Sequence, residues 1–307
     1  MKPASLSFKR RGTVLVDVSK MAGLPARADK TAIAVIVIVI TVFTMAFADA
    51  IVKAVSSHMP LWQVFVVRSL IAIPIIALAA FAGSVRLLHP LSLGWTMLRS
   101  ILLVLMYIGI YAGAPVLSLS TIAASLYTGP LFITLFSSVL IGEQVGARRW
   151  SAILLGFIGV LFIIRPGSDA FSFAALIPVA AAIFYALVAV ITRTKCAGEQ
   201  PIVLALALNY ALLLVGGAAT IVLYLLHLSP AVQGLYPFLL GNWIPMGAAE
   251  WAILATLAVL IVGIGVGLAT AYQSGPPAVV AAFDYSYLIF AAFWSFVFFS
   301  DVPDIFT

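Results

Sequence analysis

Long uninterrupted apolar runs, broken by short polar turns, set the pattern of this chain. A span needs about 20 mostly apolar residues. On that measure nine helices are predicted, at Ala32 to Val55, Leu61 to Phe81, Leu93 to Ala114, Ser120 to Ile141, Trp150 to Ile164, Phe171 to Ile191, Pro201 to Leu226, Glu250 to Tyr272 and Pro277 to Phe299. The fifth is short, but Arg149 and Arg165 at its two ends can reach the interfaces and extend it. The runs are too long, and alternate too little, for strands of a membrane barrel.

Composition agrees with this reading. Hydrophobic residues make up 64% of the chain and charged residues 8%, whereas a soluble domain carries about 25% charged residues. The net charge of +6 is placed by topology. Residues 1–30 form a polar tail bearing Lys2, Lys9, Arg10, Arg11, Lys20, Arg27 and Lys30. With that tail inside, twelve basic residues fall on the cytoplasmic side, including Arg86, Arg148, Arg149, Arg193 and Lys195, and only Lys53 and Arg165 fall outside. That is a strong positive-inside bias. It predicts a multi-pass protein of the cell membrane, a bacterial inner membrane, with a cytoplasmic N-terminus. Ala46-Phe47-Ala48 loosely resembles a cleavage site, but the apolar run before it is too long for a signal peptide. The lone Cys196 excludes an internal disulfide.

The chain also repeats itself. Ala123 to Glu143 slides onto Ala281 to Asp301 with a shift of 158 residues and no gap, so that Tyr127 meets Tyr285, Phe132 meets Phe290, Ser137 meets Ser295 and Glu143 meets Asp301. Five helices lie between the two copies, so the copies enter the membrane in opposite senses. The expected fold class is an all-α polytopic membrane bundle built as an inverted repeat of five plus five helices. Its first repeat spans 31–167 (helices 1–5) and its second 168–307 (helices 6–9), the tenth helix being absent from this chain. Truncation is the expected reason, because the fifth helix has no counterpart in the second half.

Arg68 within FVVRSLIAIP, the run from Ala123 through Pro130 to Gly142-Glu143, then Arg149-Trp150, Gly156, Gly159 and Arg165-Pro166-Gly167 together resemble the first half of an EamA-type transporter of the drug/metabolite transporter superfamily. Ala282, Tyr285, Asp301 and Pro303-Asp304 are similar to that family's second repeat, with Asp301 where the family commonly has glutamate. The resemblance covers all but the tail. It implies ten helices, alternating access, and export or uptake of small polar or amphipathic metabolites, often amino-acid-like. No GxxxxGK[ST] phosphate loop occurs, so ATP is not the expected direct energy source. An ion gradient, exchange or facilitated diffusion remains, with protons as one candidate coupling ion. No cofactor or nucleic-acid partner is expected, the bilayer and a small-molecule substrate are, and the oligomeric state stays open, a homodimer included.

Ionisable groups inside spans are the site candidates, since each costs at least ~2.5 kcal/mol at the bilayer centre when charged and unpaired. Arg68 lies about 12 Å into helix 2 at a helical rise. It reads either as a carboxylate-binding or gating cation or as a structural partner of Asp49. Asp49 sits one turn from Lys53, which favours a local ion pair over a coupling-proton site. Asp284 lies about 10 Å into helix 9, beside Tyr285 and Tyr287, where it can exchange protons or hold a substrate amine. Tyr127 and Tyr285, matched by the repeat, are candidates to line a cavity, with Pro130 expected to kink helix 4 near Tyr127. Arg99 is expected to reach a lipid phosphate or a loop acid.

Gly109 and Gly113 in helix 3, and Gly263 and Gly267 in helix 8, form GxxxG pairs that suit close helix packing. An enzyme is not expected: His58, His89 and His227 lie on three separate loops, and no HExxH motif or Ser-His-Asp constellation can be assembled. The rival is a truncated or non-transporting membrane protein with a structural or regulatory role.

Overall fold

The computed structural model describes residues 30–82, 89–113, 115–117, 119–164 and 173–300. The tail before Lys30, Arg86, Arg165-Pro166-Gly167 and Asp301 to Thr307 lie outside the described residues. The rest is helical: α1 (Thr31–Val55), α2 (Leu61–Ala82), α3 (Leu93–Ala112), α4a (Leu119–Leu126), α4b (Gly129–Phe136), α5 (Ala147–Ile164), α6 (Leu176–Thr194), α7 (Pro201–Leu226), α8 (Ala248–Ser274), α9a (Pro277–Asp284) and α9b (Ser286–Phe299). Among the described residues, eight helical stretches are long and apolar enough to cross a membrane, with α4 and α9 each counted through its break, and the fifth contributes the shorter run Trp150–Gly159. The protein is therefore a polytopic helical membrane bundle.

Two of the nine predicted helices are not continuous. Helix 4 stops after Leu126, turns through Tyr127 and Thr128, and restarts at Gly129. Pro130, which its place in an apolar run predicts to kink a continuous helix, does not do so. It stands instead in the first turn of α4b, where the amide hydrogen it lacks has no helical partner to lose. Helix 9 breaks in the same way at Tyr285, without any proline, and its second half restarts at Ser286. The two breaks are 158 residues apart, as are the two helix ends beyond them. α4b runs into a wide π turn, Ser137–Ile141, that closes at Gly142 with φ 72°. α9b closes at Ser300 with φ 54°.

The packing is paired. α1 lies against α8 and both halves of α9, and α6 lies against α3 and both halves of α4. α2 packs on α7 and on α8, while α7 packs on α2 and on α3. α4a meets α9b and α4b meets α9a. Exchanging helices 1–4 for 6–9 maps each of these pairs onto another of them.

Glycine sets two of these approaches. A Cβ on Gly109 would lie 2.9 Å from the Ala181 Cβ of α6, and one on Gly267 would run into the Thr41 side chain of α1. Gly113 is tight against Leu117 at 3.0 Å. Gly263 departs from the sequence expectation: a Cβ there would meet nothing within 4 Å, so it packs no helix. Its neighbour Gly265 supplies the contact instead, 3.1 Å from Ala205 of α7. GxxxG spacing marks a helix face, but which face finds a partner is a tertiary matter.

Outside the spans, each end is tied by side chains to backbone. At the end bearing the α6–α7 turn, Glu199 accepts from the amides of Leu91 (2.9 Å) and Ser92 (2.7 Å) and from Thr96 Oγ1 (3.4 Å), covering the start of α3. Gln273 Nε2 donates to the carbonyls of Cys196 (2.7 Å) and Glu199 (2.8 Å). At the opposite end Gln63 of α2 exchanges two hydrogen bonds with the backbone of Ile244, at 2.9 and 3.0 Å. Trp62 Nε1 donates to the Leu239 carbonyl at 2.8 Å, so the segment joining α7 to α8 is fastened to the start of α2.

Candidate functional site

The two helix breaks face each other across the bundle, and two buried carboxylates flank them. Asp284 is the last residue of α9a and is fully buried. Three tyrosine hydroxyls donate to it: Tyr185 of α6 at 2.7 Å, Tyr127 at the α4 break at 3.3 Å, and Tyr272 of α8 at 3.3 Å. A carboxylate accepts and does not donate, so three converging donors hold it, with no counter-charge on it among the described residues. Such a group, opened by a small tilt of any one helix, can exchange a proton or receive a cationic amine.

Asp49 of α1 forms a second cluster. Tyr111 of α3 donates to one oxygen at 3.0 Å and Tyr287 of α9b to the other at 2.8 Å. The local ion pair expected between Asp49 and Lys53 is not formed. Lys53 sits one turn further out, and its Nζ donates to the Leu117 carbonyl at 3.0 Å. Lys53 shares a helix face with Asp49, but its amine is taken up by a carbonyl further out and two tyrosine hydroxyls from other helices occupy the acid.

Arg68 is 2% exposed, and its Nε and Nη2 have no hydrogen-bond partner among the described residues. Its guanidinium lies 5.5 Å from the Phe65 ring centroid, and that ring in turn lies 6.3 Å from Tyr111 of α3. It makes no ion pair with Asp49. Tyr107 and Tyr111 of α3 stack with ring centroids 5.7 Å apart.

Tyr285 and Tyr127 are brought together, with ring centroids 5.8 Å apart, but they do different things. Tyr127 points inward to Asp284. The Tyr285 ring fills the space left by Gly156 of α5, where an added Cβ would lie 2.9 Å from the ring, and its hydroxyl has no partner among the described residues. Tyr287, two residues on, takes the inward place and stacks on Tyr127 at 4.9 Å. Arg99, expected at a phosphate or loop acid, is buried in the bundle, and its Nε donates to Thr192 Oγ1 at 2.7 Å.

Tyr185, Tyr272, Tyr107 and Tyr111 are members of these clusters that the sequence did not nominate. Each is one aromatic among many in an apolar helix, and only the fold shows which hydroxyls turn toward an acid.

Broken helices that meet beside buried, tyrosine-bound acids in a polytopic bundle define a class, the multi-pass membrane transporters. The model of the EamA-like transporter family matches residues 32–165. A riboflavin transporter of Vibrio cholerae is 31% identical over 224 residues, which is 70% of this chain and 74% of that protein. The chain belongs to the EamA-like transporter family. A pseudopaline exporter, CntI of Pseudomonas aeruginosa, is 26% identical over 278 residues, covering 89% of this chain and 90% of that protein. One solved crystal structure shares the fold with a TM-score of 0.65 at 19% identity, over 90% of each chain.

Proposed function

We propose that the protein is a secondary transporter that carries a small polar or amphipathic metabolite, amino-acid-like solutes included, across a bacterial inner membrane by alternating access. Its N-terminus is cytoplasmic in this reading. The observation that carries the proposal is the pair of helix breaks at Tyr127 and Tyr285, 158 residues apart in sequence, beside the buried Asp284. Discontinuous helices at the interface of two oppositely oriented repeats are the usual setting of a transporter's substrate and coupling-ion sites. The packing pairs, interchanged when helices 1–4 replace 6–9, support dividing the chain into repeats at 31–167 and 168–307.

In this scheme Asp284 is the proton- or amine-binding group and Tyr127 holds it at the α4 break. Asp49 is a second such group toward the other end, and Arg68 is a gating or anion-binding cation. Tyr285 positions α9 against α5 rather than touching solute. Gly109 and Gly267 provide the close α3–α6 and α8–α1 contacts across which the repeats shift.

Relatives named for riboflavin and pseudopaline make riboflavin a first solute to try, alongside radiolabelled amino acids. The test is flux into proteoliposomes of the full chain. Saturable uptake above empty vesicles is expected for at least one solute, and Asp284→Asn is expected to remove its dependence on a pH gradient. Flux equal to empty vesicles for every solute overturns the reading, and unchanged coupling in Asp284→Asn removes the proton role.

A further inference from the structure

Arg68 and Arg99 are the two largest fully buried side chains in the bundle, and neither is paired with a carboxylate among the described residues. The nearby acids are engaged elsewhere. Asp49 is held by Tyr111 and Tyr287, and Glu199 by the start of α3. Arg68 keeps Nε and Nη2 without a partner among the described residues, and a buried cation with idle donors is costly, because its hydration is lost and nothing replaces it. An incoming anion supplies what is missing.

The two arginines are also linked. Arg99, Leu103, Tyr107 and Tyr111 recur every fourth residue of α3 and so share one face, and all four are buried. Eight residues separate Arg99 from Tyr107, about 12 Å of helix, longer than a benzoate-sized acid, which must therefore leave one end of the face to reach the other.

We propose that this α3 face, with Arg68 of α2 opposite it, is a track for an organic anion, Arg68 being the first station and Arg99 the next toward the α6–α7 turn. The substrate class is a carboxylate attached to a planar or apolar body. The guanidinium fork matches a carboxylate in two parallel hydrogen bonds. Phe65 lies beside the guanidinium and faces Tyr111, on which Tyr107 stacks, so rings wall the Arg68 station. Movement along the track rests on the transporter reading, whereas anion binding at Arg68 does not.

The experiment separates the two. Purified full chain is unfolded by heat, followed by tryptophan fluorescence, in rising concentrations of benzoate or of benzamide, which has the same shape without the charge. Benzoate is expected to raise the midpoint progressively and benzamide to leave it unchanged. Arg68→Gln should weaken benzoate at least about tenfold, and Arg68→Lys, which keeps the charge but not the fork, should fall between. Arg99→Gln should keep benzoate binding and slow benzoate counterflow in proteoliposomes by a similar factor. No stabilisation by benzoate, equal stabilisation by both probes, or wild-type binding by Arg68→Gln overturns the anion site. Charge-selective binding with no flux of any solute keeps that site and overturns transport. Unchanged counterflow in Arg99→Gln removes the second station.

Discussion

Tyr127 and Tyr287 stack with ring centroids 4.9 Å apart and planes 19° apart, yet their hydroxyls serve different acids, Asp284 at 3.3 Å and Asp49 at 2.8 Å. One aromatic pair thus joins the two carboxylate clusters. A shift of either broken helix that slides these rings apart changes both acids' surroundings at once. The hydroxyls are therefore individually testable.

Tyr185→Phe removes the shortest of the bonds to Asp284, at 2.7 Å. The loss of a hydrogen bond to a buried charged group is expected to destabilise by about 1.5–3 kcal/mol. Tyr127→Phe, which gives up a 3.3 Å bond, should cost less. Thermal midpoints in one detergent check the order. In an Asp284→Ala background both effects should shrink, because the shared partner is gone. Full-sized effects in that background would assign these tyrosines to packing alone.

Gly109 and Gly263 should part company under the same substitution. Gly109→Ala puts a methyl 2.9 Å from the Ala181 Cβ, which must push α3 from α6 at a cost of about 1–3 kcal/mol. Gly263→Ala meets open space and gains helix propensity, by roughly 0.8–1 kcal/mol in a helix interior. Opposite shifts of the thermal midpoint are the expected result, and equal losses would contradict the packing described.

Hydrophobic run lengths were enough to read the spans: α7 falls at Pro201–Leu226 as expected, and α2 differs from expectation by one residue at its end. The 158-residue echo that aligned Tyr127 with Tyr285 also aligns two helix breaks, although nothing in the composition of α9 announces its break. Asp284, Asp49 and Arg68 were conspicuous because charge is rare in lipid. Their partners were not. Tyrosine in an apolar helix looks the same whether it faces lipid or an acid, and the donors to Asp284 come from α4, α6 and α8, each far away in sequence or across a turn. Glu199, which covers the start of α3 from over 100 residues away, carried no local signal at all.

Cys196 offers a reporter for the end bearing the α6–α7 turn. It is buried against Leu204 and Ala269, and burial pushes its thiol above the ordinary range although the Arg99 charge pulls the other way. The thiolate is the reactive form, so labelling by a membrane-impermeant maleimide should be slow at neutral pH and quicken as pH rises. Gln273→Ala removes the two bonds that tie this turn to α8. It is expected to speed labelling at fixed pH, and an unchanged rate would mean the turn is held by other contacts.

The helix ends beyond the two breaks test the repeat most directly. Gly142 and Ser300, 158 residues apart, both close their helices in the left-handed region, at φ 72° and 54°. Glycine adopts that conformation freely, whereas a residue with a Cβ loses roughly 1–2 kcal/mol there. No atom lies within 4 Å of a Cβ added at Gly142, so Gly142→Ala should cost about 1 kcal/mol through the backbone alone. Ser300→Gly relieves the same strain in the other copy, less the extra freedom glycine gives the unfolded chain. A raised thermal midpoint for Ser300→Gly and a lowered one for Gly142→Ala are expected, measured on the same preparation. A neutral Gly142→Ala together with a destabilising Ser300→Gly would mean that the two ends are held by different forces and share only their position in sequence.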